Sequence, residues 1–211
     1  RAVNDWLHER GQDAEVVEVG CIGLCAAEPM LDVQLPGRTR LSFGGVTADQ
    51  VDAVLTPLLD AASLPDAAPL GQHRPADGVE LDAWHGVAWL DEHAFFAPQT
   101  RWVLANCGVL DPSSLAEYVA RGGYRAYTRG LRTMTPPEVC DEVVSSGLRG
   151  RGGGGFPTGK KWQFALNTPA ERKYMVCNAD EGDPGAFMDR AVIEGDPHRL
   201  LEGVALAAYA I

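Results

Sequence analysis

Near the N-terminus the apolar positions keep a helical period. Val3, Trp6 and Leu7 share one face over Arg1 to Arg10, which predicts a helix there. Ala14 to Val19 interleaves valines with glutamates and predicts a strand. Met30 to Leu35 and Arg38 to Phe43 predict two more strands, joined by a turn at Pro36-Gly37. Thr47 stands as an N-cap before Val51, Val54 and Leu55, and Leu58 and Leu59 carry that apolar face past Pro57. The periodicity then fades. Ser63 to Asp82 is rich in Ala, Pro, Asp and Gly and predicts a linker. Trp84, His85, Trp89, His93, Phe95 and Phe96 follow; the two histidines lack companions at metal-ligand spacing, so packing is expected of them.

From Arg101 the pattern becomes regular again. Trp102 to Leu110 predicts a short extended segment. Asp111-Pro112 predicts a helix start, with the helix running to about Arg121 and Gly122 at its stop. A second helix is expected over Tyr124 to Arg132. Thr135-Pro-Pro-Glu138 has capping-box spacing, with Val139, Val143 and Val144 on the inward face and Gly147 as terminator. Lys173 to Asn178 predicts a short buried strand. Asp196-Pro197 opens a last helix carrying Leu200, Leu201 and Val204.

Composition narrows the classes. A chain of 211 residues, 45% hydrophobic, can bury one or two real cores. A net charge of −11 argues against nucleic acid as a partner, because phosphate recognition needs basic patches. No apolar run approaches the roughly 20 residues that span a bilayer. No signal peptide is visible. Five cysteines without a compact framework fit a reducing cytoplasm better than a disulfide scaffold. The chain opens on Arg1 within a helical pattern and stops at Ile211 within another, so a fragment incomplete at both ends is expected.

The chemistry concentrates between Ser145 and Asp189. Gly150, Gly152, Gly153, Gly154 and Gly155 strip the backbone of side chains, and Lys160 and Lys161 follow. Such a loop lets a ligand touch main-chain N–H groups, and with the lysines it suits a phosphate. Two short patterns fit it. Gly150 to Gly155 satisfies G-x-G-x-x-G, but the preceding Thr135 to Ser146 reads as helix where a dinucleotide fold needs a strand. Gly154 to Lys160 satisfies the first seven positions of the nucleotide-binding P-loop, but Lys161 stands where Ser or Thr would hold Mg²⁺. Ala179 to Gly185 is a dense acidic loop. Asp180, Glu181 and Asp183 are like charges that lysines, solvent or the hydroxyls of a ligand must relieve.

GLRGRGGGGFPTGKKW followed by CNADEGDPGAFMDR resembles the flavin-bearing, NADH-binding subunit of respiratory complex I. It is equally similar to the diaphorase subunits of NAD(P)-linked hydrogenases and formate dehydrogenases. The resemblance runs from about Arg101 to the end, and a weaker one covers Ala14 to Leu59. It implies an FMN and NAD(H) or NADP(H) site. Gly150, Gly152 and Gly153 match the loop that cradles FMN, and Lys161 matches the lysine at the flavin phosphate. Asn178 and Asp180 match further FMN contacts. Glu181 matches the acidic residue between isoalloxazine and nicotinamide, and Phe156 and Phe164 match aromatics that stack on adenine. Asp183 stands where many members carry Glu.

Cys21-Ile-Gly-Leu-Cys25 with Glu28-Pro29 is similar to the second cysteine pair of a thioredoxin-like [2Fe–2S] module, which makes Cys21 and Cys25 half of a cluster's ligands. A [4Fe–4S] cluster and further nucleotide contacts are implied beyond Ile211, and iron–sulfur subunits of an oxidoreductase complex are implied as partners. The expected fold class is α/β. Residues 1–62 are read as a partial thioredoxin-like module, 63–100 as linker, 101–134 as a helical segment, and 135–211 as the first part of an FMN/NADH-binding domain. Direct membrane insertion is not expected. A P-loop-like nucleotide enzyme and a non-redox structural subunit are the alternatives.

Overall fold

The computed structural model describes residues 1–211, and the chain forms two compact units. The first comprises residues 1–18 with 22–102, the second residues 19–21 with 103–211.

In the first unit, helix α1 (Ala2–Glu9) forms where the apolar face places it and buries Trp6 and Leu7. The Trp6 indole Nε1 donates to Asp52 Oδ1 at 2.8 Å, which ties α1 to helix α2 (Val51–Ala61). Thr47 and Gln50 make a reciprocal capping box over a 3₁₀ turn that leads into α2. The helix continues through Pro57 and ends with Ala62 in the left-handed region. The core gathers Leu41, Phe43, Val54, Leu58 and Trp84, with Val51 and Leu55 meeting Trp6 and Leu7 beside it.

The sheet is small, mixed with helix and antiparallel throughout. Strands β1 (Leu31–Val33) and β2 (Leu41–Phe43) occupy the two predicted extended runs, in the register Leu31 to Phe43. A third strand, β3 (Gly71–Gln72), pairs with β2 from inside the stretch read as linker. Its Gln72 is buried, and its amide is fully matched. Oε1 accepts from Thr39 Oγ1 at 2.6 Å and from Trp84 N at 2.8 Å, while Nε2 donates to the Trp84 and Val87 carbonyls. A buried amide satisfied at every position stabilises a strand that hydrophobicity does not announce. Most of the aromatic stretch packs: Trp84, Leu90 and Phe96 are buried, and His93 lies against Phe96, but His85, of which packing is also expected, is exposed at the surface beside the turn at Gly86.

The predicted strand at Ala14 to Val19 does not form. Those residues have no regular structure, and Val16, Val17 and Val19 are exposed. Alternation supplies only one half of a strand; the ladder needs a neighbour, and none runs alongside.

The second unit is helical. Helix α3 (Leu115–Ala120) is capped by Ser114, whose hydroxyl accepts from Glu117 N, so it starts later than Asp111-Pro112 suggests. Asp111 instead closes a turn by accepting from Ser113 N at 2.8 Å. Helix α4 (Arg125–Thr133) follows, and helix α5 (Pro136–Ser145) carries the predicted capping box between Thr135 and Glu138. Helix α6 (Thr158–Asn167), helix α7 (Met188–Gly195) and helix α8 (Pro197–Ala210) complete the unit. Val139, Cys140 and Ala210 form the core where α5, α6 and α8 meet, with Trp162, Leu166 and Leu206 against them. The Trp102 to Leu110 segment makes turns rather than a strand, and it buries Cys107 and Leu110. Lys173 to Asn178 is also not a strand: Tyr174 and Val176 are 74% and 79% exposed, and no ladder partner lies beside them.

Two polar hubs hold the helices. Glu202 of α8 accepts from Tyr118 Oη at 2.5 Å and from the N–H groups of Tyr124 and Tyr127 at 2.8 and 3.1 Å, so it caps the start of α4 from a neighbouring helix. Burial, then the Glu202 contact, pushes the Tyr118 phenol above its ordinary range. Asp196, fully buried, accepts from Asn106 Nδ2 at 2.8 Å and from Arg199 Nε at 2.7 Å. Close packing beside it requires glycine. A Cβ at Gly20 would fall 2.3 Å from Gly195 Cα, and one at Gly195 would fall 2.8 Å from Cys107 Sγ.

Candidate functional site

The glycine-rich stretch is a closed loop between α5 and α6. Gly150 N donates to Phe156 O and Thr158 N donates to Leu148 O, both at 2.9 Å, so the two ends of the loop clasp each other. The arginines brace it from within. Arg149 Nε donates to Gly155 O and Arg151 Nη1 donates to Arg149 O, each at 2.6 Å. Gly153 and Gly155 take φ of +98° and +58°, which side-chain-bearing residues rarely adopt. A Cβ at Gly152, Gly153 or Gly154 would meet nothing within 4 Å, so the outer face of this backbone is open to a ligand.

Helix α6 begins where the loop closes. Its N-cap is Pro157, which brings no side-chain acceptor to the first turn. Thr158 N is taken by Leu148 O, and the N–H groups that follow it in the first turn carry the positive end of the helix dipole, where Lys160 and Lys161 add charge. Lys160 Nζ is engaged with Gln163 Oε1 at 3.2 Å, whereas the side chain of Lys161 stands in solvent. Gly159 holds this turn against α5: a Cβ there would fall 2.5 Å from Val144 N. Phe156 and Phe164 come together at the same end, their rings 6.3 Å apart and tilted by 46°, both more than half exposed.

The acidic loop has its own order. Asn178 Oδ1 accepts from Asp180 N at 3.0 Å, an Asx turn, and Ala186 N donates to Asp183 O at 3.1 Å ahead of Gly185 at φ +81°. The carboxyls of Asp180 and Asp183 are exposed. Glu181 is engaged: Oε1 accepts from Asp189 N at 3.0 Å and Oε2 from Arg190 N at 3.2 Å, at the first turn of α7. Lys173 Nζ donates to Leu166 O at 2.7 Å and ties the approach to this loop to the end of α6. No hydrogen bond or ring contact joins 149–161 to 178–190. The structure therefore brings together Gly150, Gly152, Gly153, Phe156, Lys161 and Phe164 as one group, and Asn178, Asp180, Glu181 and Asp183 as another.

The donor set of the first group fits a flavin mononucleotide's phosphate. A glycine backbone open on one side, an uncapped helix start and an exposed lysine are what a phosphate monoester requires. Three of the five thiols stand apart from any common site. A cluster takes four cysteine thiolates, but Cys107 and Cys140 are fully buried, directing Sγ at the Ala191 and Ala210 carbonyls, and Cys177 lies alone on the surface. Cys25 opens a 3₁₀ turn and is exposed, and Cys21 is half-buried. Burial holds the Cys140 thiol above its usual value.

Gly159 and the α7 cap were not legible in the sequence. Gly159 sits in a run of loop-like residues, and Glu181 finds its partners 8 and 9 positions ahead, outside any helical spacing.

Comparison with known proteins points the same way. Residues 143–211 match the Nuo51 FMN-binding domain family. The NADP-reducing hydrogenase subunit HndC of Solidesulfovibrio fructosivorans is 59% identical over 113 residues, which is 54% of this chain and 23% of that protein. An NADH-quinone oxidoreductase subunit of Rhizobium meliloti is 52% identical over 109 residues, 52% of this chain and 26% of that protein. The NAD-reducing hydrogenase HoxS subunit alpha of Cupriavidus necator is 47% identical over 191 residues, 90% of this chain and 27% of that protein. The chain thus spans about a quarter of the length of these relatives.

Proposed function

We infer that this chain, whose residues 143–211 belong to the Nuo51 FMN-binding domain family, is part of the flavoprotein subunit of a multisubunit oxidoreductase. The subunit oxidises NAD(P)H, or reduces NAD(P), and exchanges the electrons with iron–sulfur clusters. The observation that carries this reading is the open glycine backbone running into the uncapped, lysine-bearing start of α6. Bound FMN supplies the chemistry, accepting electrons in pairs and passing them singly.

The chain's own residues bind and orient. Gly150, Gly152 and Gly153 give backbone contact to the flavin nucleotide, and Lys161 meets its phosphate. Asn178 and Asp180 take the hydroxyl and ring donors of the flavin, with Asp183 beside them. Glu181 orients the nicotinamide against the flavin, and Phe156 with Phe164 offers a face to adenine. No side chain is required as nucleophile. Residues 1–62 are a partial thioredoxin-like module in which Cys21 and Cys25 form one pair of cluster ligands, 63–100 is packed onto it through β3 and Trp84 rather than serving as a free linker, 101–134 is a helical segment, and 135–211 opens the flavin domain. The match to the HoxS alpha subunit over 90% of the chain supports reading both units as parts of one such subunit. The partners are iron–sulfur subunits, in the cytoplasm; no helix of this chain is long and apolar enough to cross a membrane.

The P-loop reading is less well supported. That motif joins a strand to a helix, whereas helix α5 precedes this loop and Lys161 replaces the Mg²⁺-binding hydroxyl. The test is FMN content. The full-length protein, purified and denatured, releases stoichiometric FMN, and a Gly153→Val variant of unchanged circular dichroism releases little. A wild-type protein without flavin, or with Mg-dependent ATP binding instead, overturns the reading.

A further inference from the structure

Glu181 has a structural partner as well as the nucleotide assigned to it above. Helix α7 has Phe187 at its N-cap position, at φ −140°, with no side chain able to accept. Its second and third residues, Asp189 and Arg190, carry the N–H groups that an N-cap Ser, Thr, Asp or Asn ordinarily satisfies. Here the two oxygens of Glu181 satisfy them instead, at 3.0 and 3.2 Å, from six positions before the N-cap. The intervening loop is folded tightly enough to permit this, through the Ala186 N to Asp183 O bond and the positive φ of Gly185. The forked contact fixes the plane of the carboxylate against the start of α7.

We propose that Glu181 is a releasable cap of α7, and that a nicotinamide nucleotide and the helix compete for the same carboxylate. The proposal rests on the reading that places Glu181 at the nucleotide. In the ligand-free protein α7 holds Glu181. When the nucleotide engages it, Asp189 and Arg190 lose their acceptors and the first turn of α7 loosens. Part of the nucleotide's binding energy is then spent on uncapping, so a substitute cap at position 187 relieves the competition. A hydroxyl there accepts from one of these two N–H groups, and Phe187 is 63% exposed, so its replacement leaves the core intact.

The experiment uses the full-length, FMN-loaded, oxidised protein and NAD⁺ as probe. Phe187→Ser is compared with Phe187→Ala, so that loss of the ring is common to both and the hydroxyl is the only difference. The expected result is that the Ser variant binds NAD⁺ about fivefold more tightly than the Ala variant, the worth of one side-chain cap. Hydrogen exchange at the amides of Asp189 and Arg190 should quicken on NAD⁺ addition in wild type and Phe187→Ala, and at least one of the two should stay slow in Phe187→Ser. Equal affinities of the two variants, or NAD⁺ slowing exchange at these amides in wild type, overturn the proposal. Glu181→Gln separates the two levels. If it binds NAD⁺ as wild type does, the placement of Glu181 at the nucleotide fails, and the competition with it. If it binds weakly while Phe187→Ser and Phe187→Ala agree, only the competition fails.

Discussion

Gly159→Ala tests whether the start of α6 is positioned by its packing on α5. A Cβ at 159 lies 2.5 Å from Val144 N, 2.6 Å from Val144 Cγ2 and 2.8 Å from Val144 Cα. Two of these atoms are backbone, so no rotamer change relieves the clash. Opening the closest approach to an ordinary 3.4 Å moves one helix by the difference, 0.9 Å. Overpacking of this kind costs about 1–3 kcal/mol, and alanine's better helix propensity returns less than about 1 kcal/mol. The net destabilisation is about 1–2 kcal/mol, or a fall in Tm of roughly 3–12 °C for a unit of this size. Because α6 carries Lys160 and Lys161 in the same turn, the same displacement should lower FMN retention. The control is Gly203→Ala, within α8, where a Cβ meets nothing within 4 Å. It should gain about 0.5–1 kcal/mol, since only the helix propensity changes. Thermal unfolding of the full-length protein and FMN content after gel filtration provide the readouts. A Gly159→Ala protein with wild-type Tm and full flavin refutes the packing argument, and a Gly203→Ala protein that melts lower refutes the control.

Other expectations follow from the same geometry. Lys161→Ala should lose FMN on gel filtration while keeping its fold; unchanged retention removes Lys161 from the phosphate site. Glu181→Gln should weaken NADH affinity and slow NADH–ferricyanide turnover in the full-length protein, and wild-type values for both exclude the assigned role. Tyr118 gives a pH signature. Its folded-state pKa is raised above the ordinary 10.0, so above pH 10 the unfolded chain gives up the proton first. Stability should therefore fall as pH rises past 10. Tyr118→Phe should flatten that part of the curve in urea melts across the alkaline range, and an unchanged slope places the titration elsewhere.

What the sequence discloses depends on how local the cause is. The Thr135–Glu138 capping box and the Trp6 face of α1 lie within a few residues of their partners, and both stand where the pattern puts them. The glycine loop is also local, because the absence of side chains is visible in the string itself. Strands depend on a second segment. Ala14 to Val19 and Lys173 to Asn178 have the composition of strands but no ladder neighbour, whereas Gly71–Gln72 has poor strand composition and a neighbour in β2. Gly159 and Glu181 lie further still from local reading: the first matters only because Val144 stands opposite, the second only because α7 folds back to it.

The amide of Gln72 also bears on how long the folded chain lasts chemically. Both of its Nε2 protons point at main-chain carbonyls, those of Trp84 and Val87. Slow hydrolysis of this side chain would put a second carboxylate oxygen where those protons were, facing two acceptors with no donor between them. A buried group left in that state costs more than the loss of one bond. The folded unit guards the amide from solvent, yet each transient opening exposes it to a change that refolding cannot undo. Ageing of this unit is therefore tied to how often β3 leaves the sheet.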